Sequence, residues 1–194
     1  MRGLKLFLAC AVVGAAMVTA AFGAGSASAA NTVICKTNTP TCGLHAYPNS
    51  QVFEVVGKAE FKGTSSFSCG FAYKYELEIN SLPVVLAEVQ SWNFSGCTPG
   101  HSVGPVGLPG WPMKLKTVTV PNGTGEMFPT NSKPFEIDGC VYQAATIPLT
   151  IEGGGWITTA GVTLNYFSGP GSCASSIVMS IPSSKPTSMF WMTN

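Results

Sequence analysis

Phe71-Ala72-Tyr73-Lys74-Tyr75-Glu76-Leu77-Glu78-Ile79 places large apolar side chains at every odd position and Ala, Lys or Glu at every even one. A strand turns successive side chains to opposite faces, so this stretch reads as a strand with one buried face; a helix would mix the two sets. The preceding segment repeats the pattern, with Phe53, Val55, Ala59 and Phe61 set against Glu54, Lys58, Glu60 and Lys62. The same reasoning predicts strands over Val84–Phe94, Met113–Val120, Val141–Ile151, Trp156–Phe167, Ser176–Ile181 and Ser188–Met192. Turn-forming residues punctuate them at Ser81-Leu82-Pro83, Asn122-Gly123, Asp138-Gly139, Gly153-Gly154-Gly155 and Gly169-Pro170-Gly171. No segment carries a capped amphipathic helix. The expected fold is all-β, an antiparallel sandwich or barrel, with Ser95–Pro112 as its longest irregular stretch.

Upstream, Arg2 and Lys5 precede an apolar run from Leu6 to Phe22 and a small-residue end at Ala27-Ser28-Ala29-Ala30. Charge, apolar run and small residues in that order predict a cleaved export signal over 1–30 and a single domain over 31–194. Gly14, Gly23 and Gly25 make the run a poor spanning helix, so no stable membrane span is expected after cleavage. Cys10 follows Leu8-Ala9 but lies inside the apolar run, which argues against lipidation. The other six cysteines, Cys35, Cys42, Cys69, Cys97, Cys140 and Cys173, then reach an oxidising compartment where they form disulfides. Fifteen pairings are open. The sequential one, Cys35 with Cys42, Cys69 with Cys97 and Cys140 with Cys173, is the expectation.

Removing Arg2 and Lys5 takes the formal charge from +1 to −1 and leaves no arginine. Arginine is the side chain that forks onto phosphates and guanine edges, so nucleic acid and phosphorylated ligands are not expected partners. Asp138, the only aspartate, leaves no material for Asp-rich calcium loops and only one aspartate to orient a catalytic histidine.

Gly100-His101-Ser102-Val103-Gly104 matches the G-x-S-x-G pattern of a nucleophile elbow. An elbow needs a strand before it and a helix after it, whereas Pro99 precedes and Pro105 and Pro109 follow; the other histidine, His45, is upstream. Cys42 with His45 and Cys97 with His101 have metal-like spacing, but exported cysteines pair with each other, so no metal is expected. Glu76 and Glu78 share one strand face with Lys74 and read as a solvated face rather than a glycosidase pair. No catalytic residue and no cofactor is assigned. Of the tryptophans, Trp111 at the end of the long loop and Trp191 in the terminal Met189-Phe190-Trp191-Met192 are the candidate binding residues. That terminal run, apolar on both faces, reads as a strand between packed layers or central in a sheet. The sequons Asn93-Phe94-Ser95 and Asn122-Gly123-Thr124 carry little weight.

Thr32-Val33-Ile34-Cys35-Lys36, Cys42, Tyr47-Pro48, Phe67-Ser68-Cys69, Trp92-Asn93-Phe94-Ser95-Gly96-Cys97 and Leu108-Pro109-Gly110-Trp111-Pro112 occur in that order. This succession resembles a family of exported, disulfide-bonded actinobacterial proteins with an early cysteine ring and an L-P-W element. Gly110 interrupts that element here. The resemblance supports the compartment and the sequential pairing and implies no activity. The functional expectation is a secreted or envelope-associated, non-enzymatic β-domain that binds a glycan, an envelope polymer or an extracellular protein through its surface. Two alternatives stand beside it: a hydrolase or hydrolase inhibitor using the 95–112 loop, and a structural envelope protein that self-assembles through strand edges.

Overall fold

In a computed structural model the described residues are 31–193; the segment 1–30, on which the expected export signal and Cys10 fall, lies outside them. Strands follow one another as β1 (Val33–Cys35), β2 (Val52–Lys62), β3 (Ser66–Ile79), β4 (Val85–Ser95), β5 (Val103–Pro105), β6 (Trp111–Thr119) and β7 (Asn122–Met127). Then come β8 (Phe135–Ile137), β9 (Cys140–Gln143), β10 (Ile147–Glu152), β11 (Trp156–Ser168), β12 (Ser176–Pro186) and β13 (Trp191–Thr193). Eight of them close a barrel in the order β2-β3-β4-β6-β7-β10-β11-β12, and the β2–β12 pairing completes the ring. Every pairing is antiparallel.

The odd positions of the 71–79 stretch point inward as expected, with Phe71, Tyr73, Tyr75 and Leu77 all buried. Lys58, Lys62, Lys74, Glu78, Lys114, Lys116 and Glu126 are exposed. An apolar interior behind a charged exterior is the reverse of an outer-membrane barrel. Among the described residues, no helix is long and apolar enough to cross a membrane.

The barrel wall forks. β4 pairs with β6 only over Val85–Val89, then bulges at Gln90 and continues beside β3 alone. The lower half of the wall is completed from the other side, where β9 pairs with β11, β8 with β9 and β5 with β8, leaving β5 alongside β4. Trp92, Phe94, Trp111 and Phe135 fill the fork; Phe135 stands edge-on to Trp92 with centroids 5.2 Å apart. At the opposite end β1 and β13 form a two-stranded ribbon over the barrel mouth, sending Ile34, Phe190 and Met192 into the core. The terminal apolar run is therefore a plug, neither sandwiched between layers nor central in a sheet.

Two other expectations change. Val141–Ile151 is two strands, broken at Ala144–Thr146 where the chain passes from the lower wall to the upper. The turn placed at Asn122-Gly123 falls at Val120-Pro121, and Asn122 already pairs with Thr119. Asp138-Gly139 is a two-residue hairpin turn with both residues at positive φ, 51° and 78°, as its composition demands.

The disulfides join Cys35 to Cys42, Cys69 to Cys97 and Cys140 to Cys173, the sequential pattern. Three such bonds place the chain in an oxidising, non-cytoplasmic compartment.

Candidate functional site

A concavity of about 440 Å³ lies on the outer face where β6, β7, β10 and β11 run side by side. Register builds it. Lys114, Glu126 and Pro148 stand in one cross-strand row; Lys116, Thr124 and Thr150 stand in the next, and Thr159–Gly161 of β11 close the side. Lys114 and Glu126 are direct neighbours yet form no ion pair, because Lys114 Nζ sits 5.1 Å over the Phe128 ring. Glu126 and Lys116 are likewise without an ion-pair partner among the described residues. The lining thus offers charges of both signs, threonine hydroxyls and an apolar floor that includes Pro148 and Leu149. No aromatic ring lines it, so contact there proceeds by hydrogen bonds and charge rather than by stacking.

A second cluster sits at the lower end, where the 95–112 loop meets the β8–β9 turn. His101 Nδ1 lies 2.7 Å from Asp138 Oδ2, and the Ser102 backbone N–H donates to Asp138 Oδ1 at 2.7 Å. The His101 ring stacks on Phe67 with centroids 4.1 Å apart and planes 6° from parallel. The sole aspartate therefore does orient a histidine, a pairing across 37 positions that nothing local in the sequence signals. Ser102 Oγ is 3.5 Å from the carboxylate and makes no bond to the imidazole, so the elbow-like motif does not produce a serine nucleophile.

The 95–112 loop lies along the barrel rather than projecting from it. Thr98 N–H donates to Ser68 O, Val106 N–H to Pro134 O and Gly110 N–H to Val89 O, and β5 lies within it. Trp111, a candidate binding residue, is buried and offers no contact surface. Gly107 and Gly110, at φ 72° and 108°, fold the chain back so that Trp111 opens β6 in the inward register with Met113 and Leu115. Its indole Nε1 donates to Val106 O at 3.3 Å. Trp191 is half-buried opposite Cys35. The exposed indole is Trp156, beside the β10–β11 turn.

Glu76 and Glu78 lie on the outer face of β3 and form no ion pair, while Lys74 reaches across to Glu54 at 3.9 Å. Cys42 and Cys97 are bonded to other cysteines, so neither thiol is free to join His45 or His101 around a metal. Nothing local in the sequence marks the groove's lysines, Glu126 and threonines, because they lie on separate strands and only register brings them together.

Fold and site define a disulfide-stapled, eight-stranded antiparallel β-barrel with a three-stranded side wall and an open polar groove. Comparison of the chain with protein-family models, with curated proteins and with solved structures gives no match.

Proposed function

We propose that the protein is a secreted or envelope-associated, non-enzymatic binding domain whose groove over β6, β7, β10 and β11 holds a hydroxyl-rich polymer chain of the cell envelope. The observation that carries this reading is the pair of uncompensated opposite charges, Lys116 and Glu126, set among threonines in an open concavity on an otherwise closed scaffold. Such a lining suits a glycan or glycan-peptide chain with ionised groups, which supplies hydroxyls to the threonines and charge to both ends. Closure of the barrel removes the long free edges that strand-pairing self-assembly requires, and the tethered 95–112 loop lacks the protrusion an inhibitor inserts into a cleft.

The test is co-sedimentation of the oxidised protein with cell walls and a panel of insoluble polysaccharides. Saturable binding is expected, weakened about tenfold in a Lys116→Glu/Glu126→Lys double variant and unchanged in Trp156→Ala. Binding lost only in Trp156→Ala would move the site to the plugged end of the barrel, and no binding to any matrix would reject the reading.

A further inference from the structure

The plugged end of the barrel carries exposed apolar residues on every connection that reaches it, and neither the core nor the groove uses them. Leu44 lies between β1 and β2, Leu82 between β3 and β4, and Met189 between β12 and β13; Val118 and Val120 flank the β6–β7 turn, and Trp156 follows the β10–β11 turn. Leu44 is fully exposed, Val118 is 64 % exposed and Met189 54 %. Strand order sets these tips around the barrel mouth as a ring. At the opposite end, segments 63–65, 96–102, 138–139 and 169–175 contain no Leu, Ile, Val, Met, Phe or Trp. Single apolar residues scattered over a surface are ordinary, but six gathered at one end mark a contact surface.

The tips are held in place. The Cys35–Cys42 bond, with the Lys36 N–H donating to His45 O at 2.8 Å, pins the short turn Gly43–His45 that presents Leu44. Tyr47 Oη donates to Met189 O at 3.0 Å, the Met192 N–H to Pro121 O at 3.3 Å and the Thr32 N–H to Leu82 O at 2.8 Å. Gly155, next to Trp156, lies against Phe190 of the plug. Charge is scarce here. In the connecting segments 36–51, 80–84, 120–121, 153–155 and 187–190, Lys36 and His45 are the only side chains able to carry it, and Glu152 flanks one turn.

The apolar run 6–22 joins the fold through Asn31, and Thr32 bridges Leu82 on the rim. A chain brought to a membrane by that run arrives with the plugged end toward the bilayer. The composition of the ring fits the same surface, because aliphatic and thioether side chains, and Trp above all, partition into the headgroup boundary. Single side chains on separate turns enter a fluid layer without the matched pocket that a protein partner would have to supply for each. We propose that the plugged end is a peripheral docking surface for a lipid bilayer, which inserts Leu44, Val118, Trp156 and Met189 among the headgroups. The charged barrel wall stays in water and crosses nothing, and the groove on its side remains open.

The experiment is co-sedimentation of oxidised residues 31–194, which contain every strand and all three disulfides, with sucrose-loaded phosphatidylcholine vesicles, with and without phosphatidylglycerol. Saturable binding to both is expected, and salt should change it little because few charges take part. Tryptophan emission should shift to the blue on binding. Trp156→Phe should remove most of that shift, since Trp92 and Trp111 are already buried. A Leu44→Glu/Met189→Glu double variant should bind about tenfold more weakly or worse. Both side chains are exposed, so its thermal unfolding should match the parent's. Val178→Glu, at an exposed position on the wall in β12, should bind like the parent. No sedimentation with either vesicle, binding confined to anionic vesicles and abolished by salt, or equal weakening by Val178→Glu would overturn the proposal. So would a lipid-indifferent dimer that the double variant disperses, which would assign the rim to a second copy of the chain.

Discussion

Asn80 commits its whole side chain to backbone groups of other segments. Its Oδ1 accepts from the Ile34 N–H at 2.7 Å, and its Nδ2 donates to Ile34 O at 3.0 Å and to Tyr47 O at 2.7 Å. It is buried and holds the plug ribbon to the barrel rim. Asn80→Ala strands these groups and should cost about 3 kcal/mol, read as a shift in the urea midpoint at constant m-value. Tyr73 and Tyr75 are the opposite case, with hydroxyls buried away from any protein partner, as is the Trp92 N–H. Removing such a hydroxyl while keeping the ring relieves a desolvation cost, so Tyr73→Phe and Tyr75→Phe should each be neutral or stabilising by up to about 1 kcal/mol in the same assay. Burial raises both phenols, that of Tyr75 with a smaller contribution from Tyr73, above the ordinary value of 10.0. A raised folded-state value means that the unfolded chain ionises first. Stability should therefore hold below pH 10 and fall above it, and absorbance at 295 nm should show both phenols ionising only on unfolding. A Tyr73→Phe/Tyr75→Phe double variant should lose stability less steeply over the same alkaline range.

At the scale of elements, the β10–β11 hairpin is set by one residue. Gly155 sits at φ 82°, and a Cβ there would stand 2.5 Å from Phe190 in the plug. Gly155→Ala meets both the left-handed backbone penalty and that collision, so a loss of about 2 kcal/mol or more is expected by thermal or denaturant unfolding. The long barrel strands could be read from the sequence because each holds its alternation over enough residues to exclude a helix, as Phe71–Ile79 does. β5 and β8 are three residues each, too short for a period to register. β7 puts glycines at its inward positions, Gly123 and Gly125, so its buried face carries almost no apolar signal. The site was harder to see for a related reason. Lys116 meets Thr124 and Thr150, and His101 meets Asp138, only after strands have paired, and a one-residue slip would undo each row. The burial of Trp111 was not legible because its place at the end of a Gly- and Pro-rich loop does not say which way the chain turns; the positive φ of Gly107 and Gly110 turns it inward.

For the whole molecule, the covalent links matter as much as the core. Sequence separations of 7, 28 and 33 give loop-closure contributions of about 2.5, 3.6 and 3.8 kcal/mol on a chain-entropy estimate. Together these match the net stability of a typical domain, about 5–15 kcal/mol. Full reduction should therefore leave the protein unfolded or close to its midpoint at 37 °C. Loss of Cys35–Cys42 alone, as a double Ser variant, should be the mildest of the three removals by calorimetry. The ring of strands carries a different consequence. β12 is the strand that joins β11 to β2, so until Ser176–Pro186 has been made, the β2 edge has no mate and the sheet stays an open ribbon. Acquisition of the native state is thus timed by chain completion: a ribosome-bound or translocating intermediate lacking β12 should be protease-sensitive throughout, and protection should arrive in a single step when that strand docks.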